Sequence, residues 1–238
     1  MSEYKLHGYW RSGCSWRVRI ALALKLTTYS YNPVDLSKLV GNVTEELPSE
    51  YRSLNQMAQL PTLEITDGSS GTTTVLTQSL PIIEYLDETL TDGVPLVGTD
   101  PLTRMRVREI SEIINSGTQP LQNLAVLRMV KEFEMTALPP QFAEIELGKT
   151  AKDFAKLHIL KGLLAVETKL EEYASKLFCV GEVVSMADIC LVPQMYNARR
   201  FMLDVDKYFP RCVAIDAHVN TLDAFKQAHA DVCADAKV

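Results

Sequence analysis

No apolar run in the 238-residue sequence reaches 18 residues before a charge or a proline breaks it. That excludes a membrane-spanning helix of ordinary length. The first residues, MSEYKLHGYW, hold no apolar segment of the kind a secretory leader needs, so none is expected. Basic charge is scarce: 24 Lys and Arg stand against 30 Asp and Glu, a formal net charge of −6. General nucleic-acid binding is therefore not expected, although a local basic pocket for a small anion is compatible with this balance. The histidines, His7, His158, His218 and His229, have no metal-ligand spacing, and no metal site is expected. Cysteines 14, 179, 190, 212 and 233 are odd in number and form no close pair. Reduced thiols in a cytoplasmic compartment fit that pattern. Internal repeats and low-complexity tracts are also missing.

What is present is enough apolar material (47% of residues) for a substantial core, and enough length for one large domain or two small ones. Residues 3–9 read as a strand. After the polar stretch RSGCS, the spacing of Val18, Ala21, Leu22 and Lys25, widened by Ile20 and Leu24, predicts a helix from Ser15 to Leu26. Tyr29 to Pro33 reads as a second strand and 42–54 as a mostly polar, partly helical segment. QLPTLEIT, the turn DGSSGTTT and TVLT form a hairpin pattern. Ser79 stands where an N-cap would precede LPIIEYLDETL, with Pro81 in the first turn. This small α/β domain spans 1–90. The turn-rich stretch TDGVPLVGTDP then leads to an all-helical domain over 98–238, with helices expected at 101–116, 119–135, 151–175, 186–201 and 211–228. In VVSMADICLVP, Ser185 and Asp188 match a capping box, which makes Asp188 a folding residue rather than a catalytic one.

Three places can carry chemistry. Ser12, Gly13, Cys14 and Ser15 lie between the first strand and the first helix. Unpaired N–H groups at a helix start favour an anion, a serine there can donate to a thiolate, and a cysteine there is itself a nucleophile. Simple capping by Ser12 or Ser15 is the competing reading. At Gln59-Leu60-Pro61, a cis proline would turn the Leu60 backbone outward for pairing with an extended ligand. Gln78 and Ser79 begin a helix, and an amide and a hydroxyl at such an end form a carboxylate site or a plain cap.

The stretch RSGCSWRVRIALALK closely resembles the active-site loop and first helix of the zeta-class glutathione transferases, the maleylacetoacetate isomerase family. LNQMAQLPTL, LTQSLPIIEYL, GTQPLQNLAVL and VSMADICLVPQMYNARRF resemble further family segments in the same order, from about residue 3 to about 228. The resemblance implies a thioredoxin-like N-terminal domain, a C-terminal helical domain, a homodimer, and glutathione as cofactor. It places the cysteinyl part of glutathione on the backbone at Leu60 and Pro61, with Gln59 lining the groove. The γ-glutamyl end falls at Gln78 and Ser79, and Gln119 reaches glutathione from the second domain. Ser12 is implied as the thiolate-stabilising serine, Cys14 as a cysteine supporting binding or turnover, and Arg200 as the group holding a carboxylate of a small anionic substrate. Arg199 is its less certain neighbour, and Arg11 and Arg17 read as surface charges. The second serine of the family's motif is Gly13 here, and the loop TDGSSGTTTV is longer than the family's hairpin.

The implied reaction is isomerisation of maleylacetoacetate to fumarylacetoacetate in tyrosine and phenylalanine breakdown. The thiolate adds, the bond rotates, and elimination returns the trans alkene. Thiol attack on small α-halo acids is implied as well. Two rivals keep the fold: a thiol oxidoreductase or dehydroascorbate reductase using Cys14, and a non-catalytic glutathione-fold binding module, which Gly13 favours.

Overall fold

The computed structural model describes residues 2–34, 49–130 and 140–236. The expected helical stretch 42–48 and residues 131–135 of the expected helix 119–135 lie outside them. The chain forms two compact units. One comprises residues 1–96 together with 221–238, and the other residues 97–220.

The first unit is built on a four-stranded sheet in the order β2-β1-β3-β4, made of β1 (Glu3–Gly8), β2 (Ser30–Pro33), β3 (Thr62–Thr66) and β4 (Thr73–Thr77). β1 runs parallel to β2, with Leu6 opposite Tyr31, and antiparallel to β3, with Leu6 opposite Leu63. The parallel β1–β2 pair needs a crossover, which α1 (Gly13–Leu24) supplies. α2 (Ser49–Leu54) precedes β3, and α3 (Ser79–Thr89) follows β4. Between β3 and β4 the long turn is self-contained. Asp67 Oδ1 accepts from the Ser69 hydroxyl at 2.5 Å and from the N–H groups of Ser70 and Ser69 at 2.7 and 2.9 Å, which together hold its carboxyl well below the usual range. Gly71 supplies the positive φ of 69°.

The core of this unit joins Leu6, Leu63 and Ile65 of the sheet to Ile20 and Leu22 of α1 and Leu80, Ile82, Ile83 and Leu86 of α3. α1 is not the one-sided helix its spacing predicts: every residue from Ser15 to Leu22 is buried. The cause is a third neighbour. α10 (Asp223–Ala228) returns from the far end of the chain and packs on α1. Residues 221–236, expected with the helical domain, belong to this unit instead. Burial on all sides obliges the helix's charges to find partners. Arg19 donates to the carbonyls of Ala228 (3.1 Å), Tyr9 (3.5 Å) and Trp10 (2.9 Å). Just past the helix, Lys25 pairs with Asp87 at 2.8 Å.

In the described residues the second unit is helical: α4 (Pro101–Asn115), a 3-10 turn (Gln119–Gln122), α5 (Leu124–Met129), α6 (Ala151–Glu172), α7 (Met186–Arg200), α8 (Val205–Tyr208) and α9 (Pro210–Val219), with a further 3-10 turn at Pro140–Phe142. Its core gathers Val107, Ile110 and Ile114 of α4, Leu160, Leu163 and Val166 of α6, and Ile189, Val192 and Met195 of α7. Asp188 is fully buried and accepts from Cys179 N (2.7 Å), Ser185 N (2.8 Å) and Ser185 Oγ (3.0 Å), which is the expected capping box. Two expected helices are broken. That of 119–135 opens as a 3-10 turn and restarts where Asn123 Oδ1 accepts from Ala125 N at 3.0 Å. That of 211–228 stops at Asn220, whose Nδ2 takes the Asp216 carbonyl at 2.8 Å.

Candidate functional site

The loop after β1 ends at Ser12, the N-cap of α1, whose Oγ accepts from Ser15 N at 3.2 Å. A hydroxyl that accepts still has its own proton to give. Capping and donation to an anion, alternatives in sequence terms, are therefore compatible in one side chain. Trp16 N is taken by the Ser12 carbonyl at 2.9 Å. The N–H groups of Gly13 and Cys14, first and second in the helix, have no partner among the described residues. Gly13 takes no left-handed backbone angle, so no conformational need for glycine is evident there. Cys14 is half-buried.

Arg17 corrects the expectation of a surface charge. It is 1% exposed, and its Nη1 donates to Ser79 Oγ at 3.3 Å and lies 3.9 Å from Cys14 Sγ. One buried guanidinium thus joins the start of α1 to the start of α3. Ser79 is the first residue of α3 rather than its cap; the cap position is Gln78, whose side chain makes no capping bond. Gln78 has φ 70° and ψ 121°, a conformation that costs a side-chain-bearing residue about 1–3 kcal/mol. Such an outlier persists only where its surroundings impose it, and Gln78 sits at one of the positions singled out from the sequence. Ser79 is buried while Gln78 is exposed.

The Leu60–Pro61 peptide is cis. The Gln59 carbonyl is held by Tyr51 Oη at 2.7 Å and Asn55 Nδ2 at 2.7 Å, and Tyr51 Oη also meets Thr62 Oγ1 at 2.8 Å. Neither Tyr51 nor Asn55 is singled out in the sequence: Tyr51 lies in the mostly polar stretch 42–54 and Asn55 directly after it. The backbone of Leu60 has no hydrogen bond among the described residues.

Ser12, Cys14, Gln59, Leu60, Pro61, Gln78 and Ser79 all lie in the first unit, and Arg17 ties Cys14 to Ser79 there. Gln119 and Arg200 lie in the second. Gln119 opens the 3-10 turn and is half-buried. Arg200 is the last residue of α7, exposed, with Nη1 donating to Asn197 Oδ1 at 2.8 Å. Its neighbour Arg199 is committed to Asp216 of α9 at 2.7 Å, which gives it a structural role. Arg11 is exposed, its guanidinium 5.1 Å from the centre of the Trp10 ring.

A mixed sheet with a serine-capped α1, a cis proline leading β3 and a Gln-Ser pair opening α3 is the first domain of a glutathione transferase. Residues 11–89 match the family described as glutathione S-transferase, N-terminal domain. A Drosophila melanogaster protein named probable maleylacetoacetate isomerase 2 is 44% identical, covering 94% of this chain and 86% of its own. A crystal structure of maleylacetoacetate isomerase from Anaeromyxobacter dehalogenans, with glutathione bound in its active site, superimposes with a TM-score of 0.79 at 36% identity, covering 99% of both chains. A zeta-class bacterial maleyl pyruvate isomerase has the same TM-score at 32% identity, covering 98% of this chain and 100% of its own. This chain belongs to the maleylacetoacetate isomerase family, the zeta class of the glutathione transferases.

Proposed function

We propose that the chain catalyses the glutathione-dependent cis–trans isomerisation of maleylacetoacetate to fumarylacetoacetate, a step of tyrosine and phenylalanine breakdown. The observation that carries this reading is the start of α1. Ser12 caps the helix as an acceptor with its O–H proton left to donate, and the Gly13 and Cys14 N–H groups beside it have no partner among the described residues. That donor set suits a thiolate. Glutathione supplies, when bound, a sulfur nucleophile able to add to a conjugated alkene and leave again.

The rest of the work falls to the chain. Ser12 donates to the sulfur and keeps it ionised. The Leu60 backbone pairs with the cysteinyl part, with Gln59 along the groove and Pro61 fixing the turn. Gln78 and Ser79 take the γ-glutamyl carboxylate, with Arg17 supplying positive charge behind Ser79. Gln119 is a further glutathione contact in this reading. Arg200 grips a carboxylate of the small anionic substrate through its planar fork. The same nucleophile acts on small α-halo acids. We place the enzyme in the cytoplasm as a homodimer. Among the described residues no helix is long and apolar enough to cross a membrane.

A second reading rests on Cys14, which is half-buried with Arg17 Nη1 3.9 Å from its sulfur. It makes the chain a thiol oxidoreductase that forms a mixed disulfide with glutathione.

The deciding experiment follows isomerisation of maleylacetoacetate by absorbance, with and without glutathione. The isomerase reading expects strict dependence on glutathione, a loss of about 100-fold in kcat for Ser12→Ala, and a smaller loss for Cys14→Ser. Dehydroascorbate reduction abolished by Cys14→Ser, with no isomerisation by the folded wild type, would replace it with the second reading.

A further inference from the structure

Behind Arg200 runs a line of amides that leads from the surface into the core of the second unit. Arg200 Nη1 donates to Asn197 Oδ1 at 2.8 Å. Asn197 Nδ2 donates to Gln122 Oε1 at 2.6 Å, and Gln122 Nε2 to Gln194 Oε1 at 2.5 Å. Gln122 is 6% exposed and Gln194 2%. Two buried glutamines are unusual, and their burial costs little only because they pair with one another.

The direction of the line is set at its outer end. A guanidinium has donors and no acceptor. Asn197 must therefore turn its oxygen to Arg200 and its nitrogen inward. Gln122 must then present oxygen to Asn197 and nitrogen to Gln194. Every amide in the line is oriented consistently with a single placement of the arginine. Gln122 is also the last residue of the 3-10 turn that begins with Gln119, so the same contact fastens that turn to α7. On its other side the turn follows Thr118, against which α6 packs at Gly162, with no room for a side chain there.

We propose that Gln122 is a positioning residue for the isomerisation: through Asn197 it fixes the direction in which Arg200 presents its guanidinium to the substrate carboxylate. This rests on the role given to Arg200 above. Gln122 touches no substrate in this scheme. Its effect is transmitted through Asn197, whose amide it holds in the orientation that faces its oxygen to Arg200.

The test is a double-mutant cycle on KM for maleylacetoacetate using Gln122→Met, Arg200→Ala and their combination, with glutathione saturating. Gln122→Met keeps the volume and removes the acceptor. We expect it to raise KM for the anionic substrate about tenfold, the scale of a lost hydrogen bond in a charged network. In the Arg200→Ala background the same change should cost almost nothing further, and transfer of glutathione to an uncharged aryl halide should be unaffected. Asn197→Ala, which cuts the line at its half-exposed end and leaves the core intact, should reproduce the effect if Gln122→Met fails to fold. If the cost of Gln122→Met, or of Asn197→Ala in its place, is undiminished in the Arg200→Ala background, or is equal for the aryl halide, the residue is merely structural and the proposal is overturned. A wild-type KM in Arg200→Ala alone would overturn it differently, by removing the role of Arg200 on which it stands.

Discussion

Arg17 of α1 donates to Ser79 of α3 across 3.3 Å of protein interior, and no solvent reaches either group freely. A charge so placed is held by what surrounds it, and its guanidinium links the helix start that carries Ser12 to the one that carries the Gln-Ser pair. Arg17→Met should raise KM for glutathione by about tenfold, the scale of a lost charge-assisted hydrogen bond. Arg17→Lys should recover little, because an ammonium is more strongly hydrated than a guanidinium and costs more to hold at this buried position. Steady-state kinetics with glutathione varied checks both. An unchanged KM in a folded Arg17→Met protein would show that the arginine serves packing alone.

At Gln78 the backbone and the side chain are expected to pull in opposite directions. Gly tolerates φ 70° where glutamine is strained. Gln78→Gly should leave the melting temperature unchanged or higher while raising KM for glutathione by about tenfold, the amide's contact being lost. Thermal melts and kinetics on the same preparation separate the two effects. A lower melting temperature would count against strain at this residue.

Gly162 sits inside α6, where alanine ordinarily stabilises by about 1 kcal/mol. Here a Cβ would lie 1.9 Å from Thr118 Oγ1 and 2.9 Å from Thr118 Cβ. Gly162→Ala should instead destabilise by about 1–3 kcal/mol, as overpacking does. Urea denaturation measures the sign directly.

Glu64 and His7 lie side by side on β3 and β1, with Oε1 2.5 Å from Nε2. The contact with His7, helped by Lys5, holds the Glu64 carboxyl below its ordinary range. A lowered native pKa means that the unfolded chain takes up the proton first as pH falls. The stabilisation is therefore complete above the unfolded glutamate value, near 4.3, and is lost as pH drops through the lower native one. Glu64→Gln should flatten the fall in stability between pH 5 and pH 3. Chemical denaturation across that window would detect it, and an unaltered slope would rule the pair out as a source of acid sensitivity.

Local patterns were enough for the elements whose causes are local. The capping box at Ser185 and Asp188, the helices α4 and α7 and the β3–β4 hairpin all follow from residues within a few positions of one another. Ser12, Leu60, Pro61, Gln78 and Ser79 stood out because turns, prolines and helix starts leave marks in sequence. Arg17 did not, since its buried partner Ser79 stands 62 residues further on, at the start of α3. A signal did exist: an arginine in the near-continuous apolar run WRVRIALAL has no polar face to occupy. Gln122 and Gln194 were silent for the opposite reason. A glutamine in a helical pattern reads as surface, and only the facing helix reveals it as interior. Gly162, without meaning in HILKGLL, is explained once Thr118 is seen against it.

The return of residues 221–236 to the first unit has a consequence for how the molecule comes into being. On the ribosome, residues 1–96 emerge early, but the carbonyl of Ala228 that receives Arg19 and the helix that covers α1 are made after the whole second unit. The nascent N-terminal segment must wait with its first helix uncovered by α10 and Arg19 without its Ala228 partner. The second unit is contiguous in the chain and has no such delay. Synthesis therefore runs in one direction, while completion of the glutathione-binding half comes last.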